Sequence, residues 1–128
     1  MAIFPKTAAS GAATPVKSQT AHEEDEMILR VWRGWTAPEN ADSYEALIRA
    51  TIFPGILGKA IAGLEALELF SRPLETEVEF MTLMRFASLD AVKAFAGPDW
   101  EVSVVPPAAR AVLVRFEENA THYECCVR

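Results

Sequence analysis

The sequence is poor in the residues that would place it quickly. It has two cysteines, and they are neighbours, Cys125 and Cys126. Adjacent strand residues project to opposite faces, so a disulfide between them would be strained and the two thiols diverge too far to share a metal ion. A reduced, cytoplasmic protein is expected. No stretch approaches the roughly 20 apolar residues needed to cross a bilayer, so the chain reads as soluble, with no membrane partner. The net charge is −6 and no block of Lys or Arg interrupts the acidic balance. The electrostatic footprint of a nucleic-acid binder is therefore missing. The glycines form no G-x-G-x-x-G pattern, and no Ser-His-Asp or Cys-His set is recognisable, which removes nucleotide binding and the common nucleophilic hydrolases.

What the chain does have is apolar content, 51% over 128 residues, enough for one domain with its own core. Residues 1–26 are rich in Ala, Ser, Thr and Pro and end in four acidic residues, and they read as a flexible N-terminal tail in which His22 is solvated. The folded domain is expected over residues 27–128. Residues 27–36 have the β-branched and aromatic content of a strand. Tyr44, Leu47, Ile48 and Ile52 then recur at helical spacing, and the helix is expected to break at Pro54-Gly55, with a short helical turn after it. Residues 63–72 and 77–86 read as an antiparallel hairpin. Ser88 is placed to cap a second helix that Gly97 stops. The connector EVSVV, fenced by Gly97-Pro98 and Pro106-Pro107, is excluded from a central strand by its prolines, and a helix over 106–114 and a strand over 121–127 follow.

The order β-α-β-β-α-β predicts an α+β, ferredoxin-like fold with an antiparallel sheet covered by helices on one face. Alternation shows apolar residues on both faces of the first and third strands. Leu29, Val31 and Trp35 oppose Ile28, Arg30 and Trp32, while Phe80, Met84 and Phe86 oppose Met81 and Leu83. A second apolar face in so short a chain implies cover, most simply by an identical subunit, so a homodimer is expected. Glu77 and Glu79 share one strand face and read as a solvated edge.

The segments ILRVWRGWTAPENADSYEALI, FPGILGKAIAGLEALEL and VEFMTLMRF, with the FAGPDWEVSVVPPAAR…HYE stretch, resemble the antibiotic biosynthesis monooxygenase (ABM) domain proteins of the dimeric α/β barrel superfamily, over about residues 27–128. The resemblance implies two ferredoxin-like subunits packed sheet to sheet, each with a ligand cavity between sheet and helices. Its relatives include cofactor-independent oxygenases of polycyclic phenols and haem-degrading enzymes. The haem-degrading branch uses an Asn, a Trp and a haem-ligating His where this chain has Trp32, Phe95 and an apolar residue near Val104, so haem degradation is not implied.

The function expected from this resemblance is a cofactor-independent monooxygenase, with no flavin, haem or metal, acting on a planar electron-rich phenol or enol. His122 is the candidate base, because an imidazole can accept a phenolic proton near neutrality. Arg30 and Tyr123 are the candidate groups to stabilise the resulting charge. Trp32, Trp100, Phe95 and Phe80 are the candidate substrate walls, with Trp100 turned inward from the connector as part of a lid. Side chains of this size also fill cores and interfaces. The alternatives are a non-catalytic small-molecule-binding or stress-related dimer, and an isomerase or decarboxylase on the same scaffold.

Overall fold

The computed structural model describes residues 27–128. The expected tail, with His22, lies outside the described residues.

Strand β1 (Ile28–Thr36) is central to the sheet. A 3-10 turn with Pro38 at its start leads into α1 (Ala41–Leu47), a π-helical turn (Ile48–Ile52) and α2 (Phe53–Gly58). Strands β2 (Leu64–Pro73) and β3 (Val78–Phe86) form the hairpin. They are followed by α3 (Leu89–Ala96), the short α4 (Pro107–Arg110), and two short strands, β4 (Arg115–Phe116) and β5 (Thr121–Glu124).

All pairings are antiparallel. The order is β2-β3-β1, with β4 and β5 sharing the far edge of β1. Counting that shared edge as one interrupted strand gives the ferredoxin-like order, in an α+β arrangement whose sheet is open within the chain.

Two expectations need correction. Pro54-Gly55 does not break the first helix: the helical run continues from Ala41 to Gly58. The π-helical turn is the reason. The Phe53 N–H reaches back to the Ile48 carbonyl, and this wider turn makes room for a proline that has no N–H of its own and would crowd an α-helical turn. The helix over 106–114 shrinks to Pro107–Arg110, and β4 precedes the last strand. The edge strand is interrupted because Glu117 bonds Arg33 three ways. Its carboxylate accepts from the Arg33 backbone N–H at 3.0 Å and from the guanidinium at 2.7 Å, while its own N–H donates to the Arg33 carbonyl at 3.0 Å. The connector is largely irregular, as its prolines require, with a single bridge between Val102 and Asn119.

The helix-covered face holds two core clusters. One gathers Ile28, Met84, Phe86, Ala91 and Val92 under α3, and the other gathers Tyr44, Ile48, Phe80 and Ala109 under α1. Ser88 caps α3 as its position implies, its hydroxyl accepting from Ala91 N–H at 3.2 Å. Gly63 and Gly97 have φ of 89° and 88°. A Cβ on Gly63 would lie 2.7 Å from that of Ala91, whereas one on Gly97 would meet nothing within 4 Å.

The two glycines separate backbone strain from packing. Gly97→Ala is expected to cost about 1–2 kcal/mol from the positive φ alone. Gly63→Ala adds a clash with a core residue, costing about 1–3 kcal/mol more. Denaturant unfolding of the two variants checks the order, and an equal loss would contradict the packing of α3 on the turn before β2.

Candidate functional site

The register decides which of the expected residues can meet. Arg30 pairs with His122 across β1 and β5, and Leu29 pairs with Tyr123. Neighbouring strand residues alternate faces. Arg30 and His122 therefore share the helix-covered face, while Tyr123, 56% exposed, projects from the other. Tyr123 does not line the cavity beside Arg30; with Trp100 and His122 it borders an open surface groove.

Arg30 is 3% exposed. Its Nη1 donates to the Trp100 carbonyl at 2.6 Å and to His122 Nε2 at 3.0 Å, and its Nη2 donates to the Val102 carbonyl at 3.1 Å. The guanidinium also lies 5.4 Å from the centre of the Phe95 ring. No carboxylate among the described residues pairs with it. Burial lowers its pKa to about 10. Arginine only donates hydrogen bonds, so His122 Nε2 accepts here and the ring hydrogen sits on Nδ1. Desolvation, followed by the adjacent Arg30 charge, pushes the His122 pKa down to about 4. In this arrangement the Nε2 lone pair is engaged, and His122 holds Arg30 in place instead of presenting a free base.

Beside Arg30 lies a cavity of about 60 Å³ between β1, β3, the first helical run and the connector. Trp32 and Phe95 line it, with Tyr44, Thr82 and Met84, and Val104, Val105 and Pro106 close it from the connector. The Trp32 indole N–H donates to the Glu117 carbonyl at 2.7 Å, which fixes that wall. Burial raises the Tyr44 pKa to about 12, so its hydroxyl stays protonated. Among the described residues that line it, Arg30 is the only charged group. The volume is well below the roughly 300–1,000 Å³ of typical organic-ligand pockets, so a planar ring system enters only when a wall moves.

The other two expected wall residues lie elsewhere. Phe80 packs 4.7 Å from the Tyr44 ring and borders a separate groove between α1 and the β2 edge. Trp100 does not turn into the cavity. Its carbonyl, not its ring, points to Arg30, and the ring packs against the α3 core cluster and edge-on to His122 at 4.9 Å. The connector does wall the cavity, but through Val104, Val105 and Pro106. Tyr44, read from the sequence only as a core position of the helix, belongs to the site. A hydroxyl at a core-facing helical position was the signal for it.

Among the described residues no cluster of three or more His, Cys, Asp or Glu side chains could hold a metal ion. Glu77 and Glu79 are not a pair of free carboxylates: Glu77 bridges Arg115 at 2.9 Å and Glu79 bridges Arg72 at 3.0 Å.

No family model and no curated protein matches the chain. Solved structures do. A Bacillus cereus protein described as a candidate antibiotic biosynthesis monooxygenase superposes with a TM-score of 0.53 at 18% identity, covering 80% of this chain and 96% of that one. The fold is ABM-like. Rv0793 from Mycobacterium tuberculosis matches with a TM-score of 0.47 at 19% identity over 80% of this chain and 95% of its own. At these identities the ABM-like likeness is one of fold. No helix among the described residues is long and apolar enough to cross a membrane.

The depressed His122 pKa has a consequence for stability. Its value is near 6.5 when unfolded and about 4 when folded, so between these pH values the unfolded chain binds more protons. The stabilisation is present above pH 6.5 and is lost as pH falls toward 4. His122→Asn is expected to flatten the pH dependence of unfolding just below pH 6.5, above the range where carboxylates titrate. A slope unchanged by the substitution would contradict the Arg30–His122 contact.

Proposed function

We propose that this chain is a small-molecule oxygenase of the ABM type that works without a resident cofactor, in a reducing compartment, on a planar electron-rich phenol or enol. One observation carries the reading: an aromatic-walled cavity between helix and sheet, with one buried cation at its end, in an ABM-like fold.

Such a substrate, as its anion, passes one electron to O2. The aryloxyl and superoxide then join through a new C–O bond, protonation gives a hydroperoxide, and loss of water leaves a quinone. Hydroxyarene plus O2 thus gives quinone plus water. The chain's contribution is to hold the ring between Trp32 and Phe95, to keep the oxygen near Arg30, and to exclude bulk water. His122 acts as a positioning residue for Arg30.

The assembly we propose is a homodimer joined through the open sheet face. That face presents Leu29, Val31, Met81 and Leu83, with Phe70 47% exposed and Tyr123 56% exposed at its margins. Trp35 lies among them under the Arg115 guanidinium, 3.9 Å from the ring centre. An apolar surface of this extent rimmed by ion pairs fits a self-complementary contact. Light scattering at micromolar concentration is expected to give twice the chain mass, and a monomer mass would remove this part of the proposal.

A non-catalytic binding protein is the second reading. It is favoured by the engaged His122 Nε2 and the small closed cavity. Oxygen-electrode assays with 1-naphthol and 1,4-dihydroxynaphthalene, against the uncatalysed rate, separate the two. Protein-dependent oxygen uptake that is lost in Trp32→Ala supports the oxygenase. Binding without uptake above the uncatalysed rate supports the second reading.

A further inference from the structure

We propose that the cavity selects ligands by charge as well as by shape: it takes a planar aromatic or enolic molecule as its monoanion, with the oxide or carboxylate seated on the unused edge of Arg30. This deepens the proposed function and rests on the same cavity.

A guanidinium has five N–H donors. Three are used, two on Nη1 by the Trp100 carbonyl and His122 Nε2, and one on Nη2 by the Val102 carbonyl. Among the described residues this leaves one hydrogen on Nη2 and the hydrogen on Nε without a partner. Those two nitrogens form one edge of the planar group, and their N–H bonds suit the paired oxygens of a carboxylate or a single oxide. Among the described residues Nε has no protein partner, and Arg30 lines the cavity, so a ligand seated there can reach this edge.

The charge around Arg30 favours the same occupant. From β5 the titratable group bonded to it is His122, which is neutral at physiological pH, while Glu124, on the same face, sits opposite Ile28. The first helical run contributes Tyr44, also neutral. Strand β3 contributes Thr82 and Met84, α3 contributes Phe95, and the connector contributes main-chain carbonyls and the apolar Val104 and Val105. Among the described residues no carboxylate lines the cavity. A buried cation partnered only by neutral dipoles lacks the counter-charge that normally offsets its desolvation. An anionic ligand supplies it, and the same field that attracts the anion lowers the ligand's own pKa.

The test uses the full chain and equilibrium binding without oxygen, so turnover plays no part. Affinity at pH 7 is measured for a series of ring-substituted 1-naphthols of graded acidity, for their methyl ethers, and for 2-naphthoate beside 2-naphthamide. For naphthols still protonated at pH 7, the dissociation constant is expected to fall about tenfold for each unit of rising acidity and to level once they are ionised. The ethers and the amide should bind at least tenfold more weakly than the matched anions. Arg30→Gln should abolish the difference between 2-naphthoate and 2-naphthamide, and Arg30→Lys, which keeps the charge without the edge, should retain part of it.

Should either variant fail to fold, the ligand series on the natural chain decides alone. Ethers binding as tightly as naphthols, or affinity unrelated to ligand acidity, would overturn the proposal. Acidity-graded binding with no oxygen uptake would support this site while removing the oxygenase. Uptake with ungraded binding would do the reverse.

Discussion

Arg30 is a cation on the covered face of the sheet, hydrogen-bonded to two main-chain carbonyls and one imidazole and stacked near an aromatic ring. Each of those contacts ties together pieces that are distant in sequence. The carbonyls of Trp100 and Val102 belong to an irregular connector with one isolated bridge of its own, and Arg30 gives it a fixed attachment to the central strand. The imidazole belongs to the short edge strand β5. Removing the guanidinium would leave the Trp100 and Val102 carbonyls without this donor and would loosen the wall that Val104, Val105 and Pro106 make over the cavity. The same group is therefore both a structural clasp and, among the described residues, the only charge lining that cavity.

The two faces of the sheet divide the remaining work. On the covered face, Tyr44, Ile48 and Phe80 form one core and Ile28, Met84 and Phe86 another. Between them lie Arg30 and the small cavity. On the open face the charged residues are held in pairs, Arg33 with Glu117 at 2.7 Å, Arg85 with Glu68 at 3.3 Å, and Arg115 with Glu77 at 2.9 Å. The hydrogen bond to Glu117 raises the Arg33 pKa. Half-exposed pairs of this kind add little stability individually, but they fix the order of charges around an apolar surface and so restrict which surface can cover it.

Much of the fold could be read from local chemistry. β-Branched and aromatic content marked β1, two strand-like runs with a short link marked the β2–β3 hairpin, Ser88 and Gly97 bounded α3, and the prolines kept the connector out of the sheet. The misreadings came where an unusual turn or a distant partner overrode the local signal. Pro54 normally ends a helix, but the π-helical turn before it absorbs the distortion. The interruption between β4 and β5 depends on Glu117 meeting Arg33 across the sheet, and no spacing in the sequence announces that contact. At the site, parity along β1 put Arg30 and Trp32 on one face, and the single register of β5 then decided that His122 meets Arg30 while Tyr123 cannot. The direction of the Trp100 ring was not legible, because it follows from which end of that residue Arg30 binds.

The central claim is that ligands engage the protein at Arg30, under the connector. The most direct measurement is a two-dimensional ¹H–¹⁵N NMR titration with 2-naphthoate, followed at the Arg30 Nε–H and at the backbone amides. The account predicts that the Arg30 Nε–H resonance moves with the amides of Trp32, Phe95 and residues 102–105, along one saturable curve. Shifts confined to the open face, at Leu29, Met81, Leu83 and Phe70, with the Arg30 resonance unmoved, would contradict it.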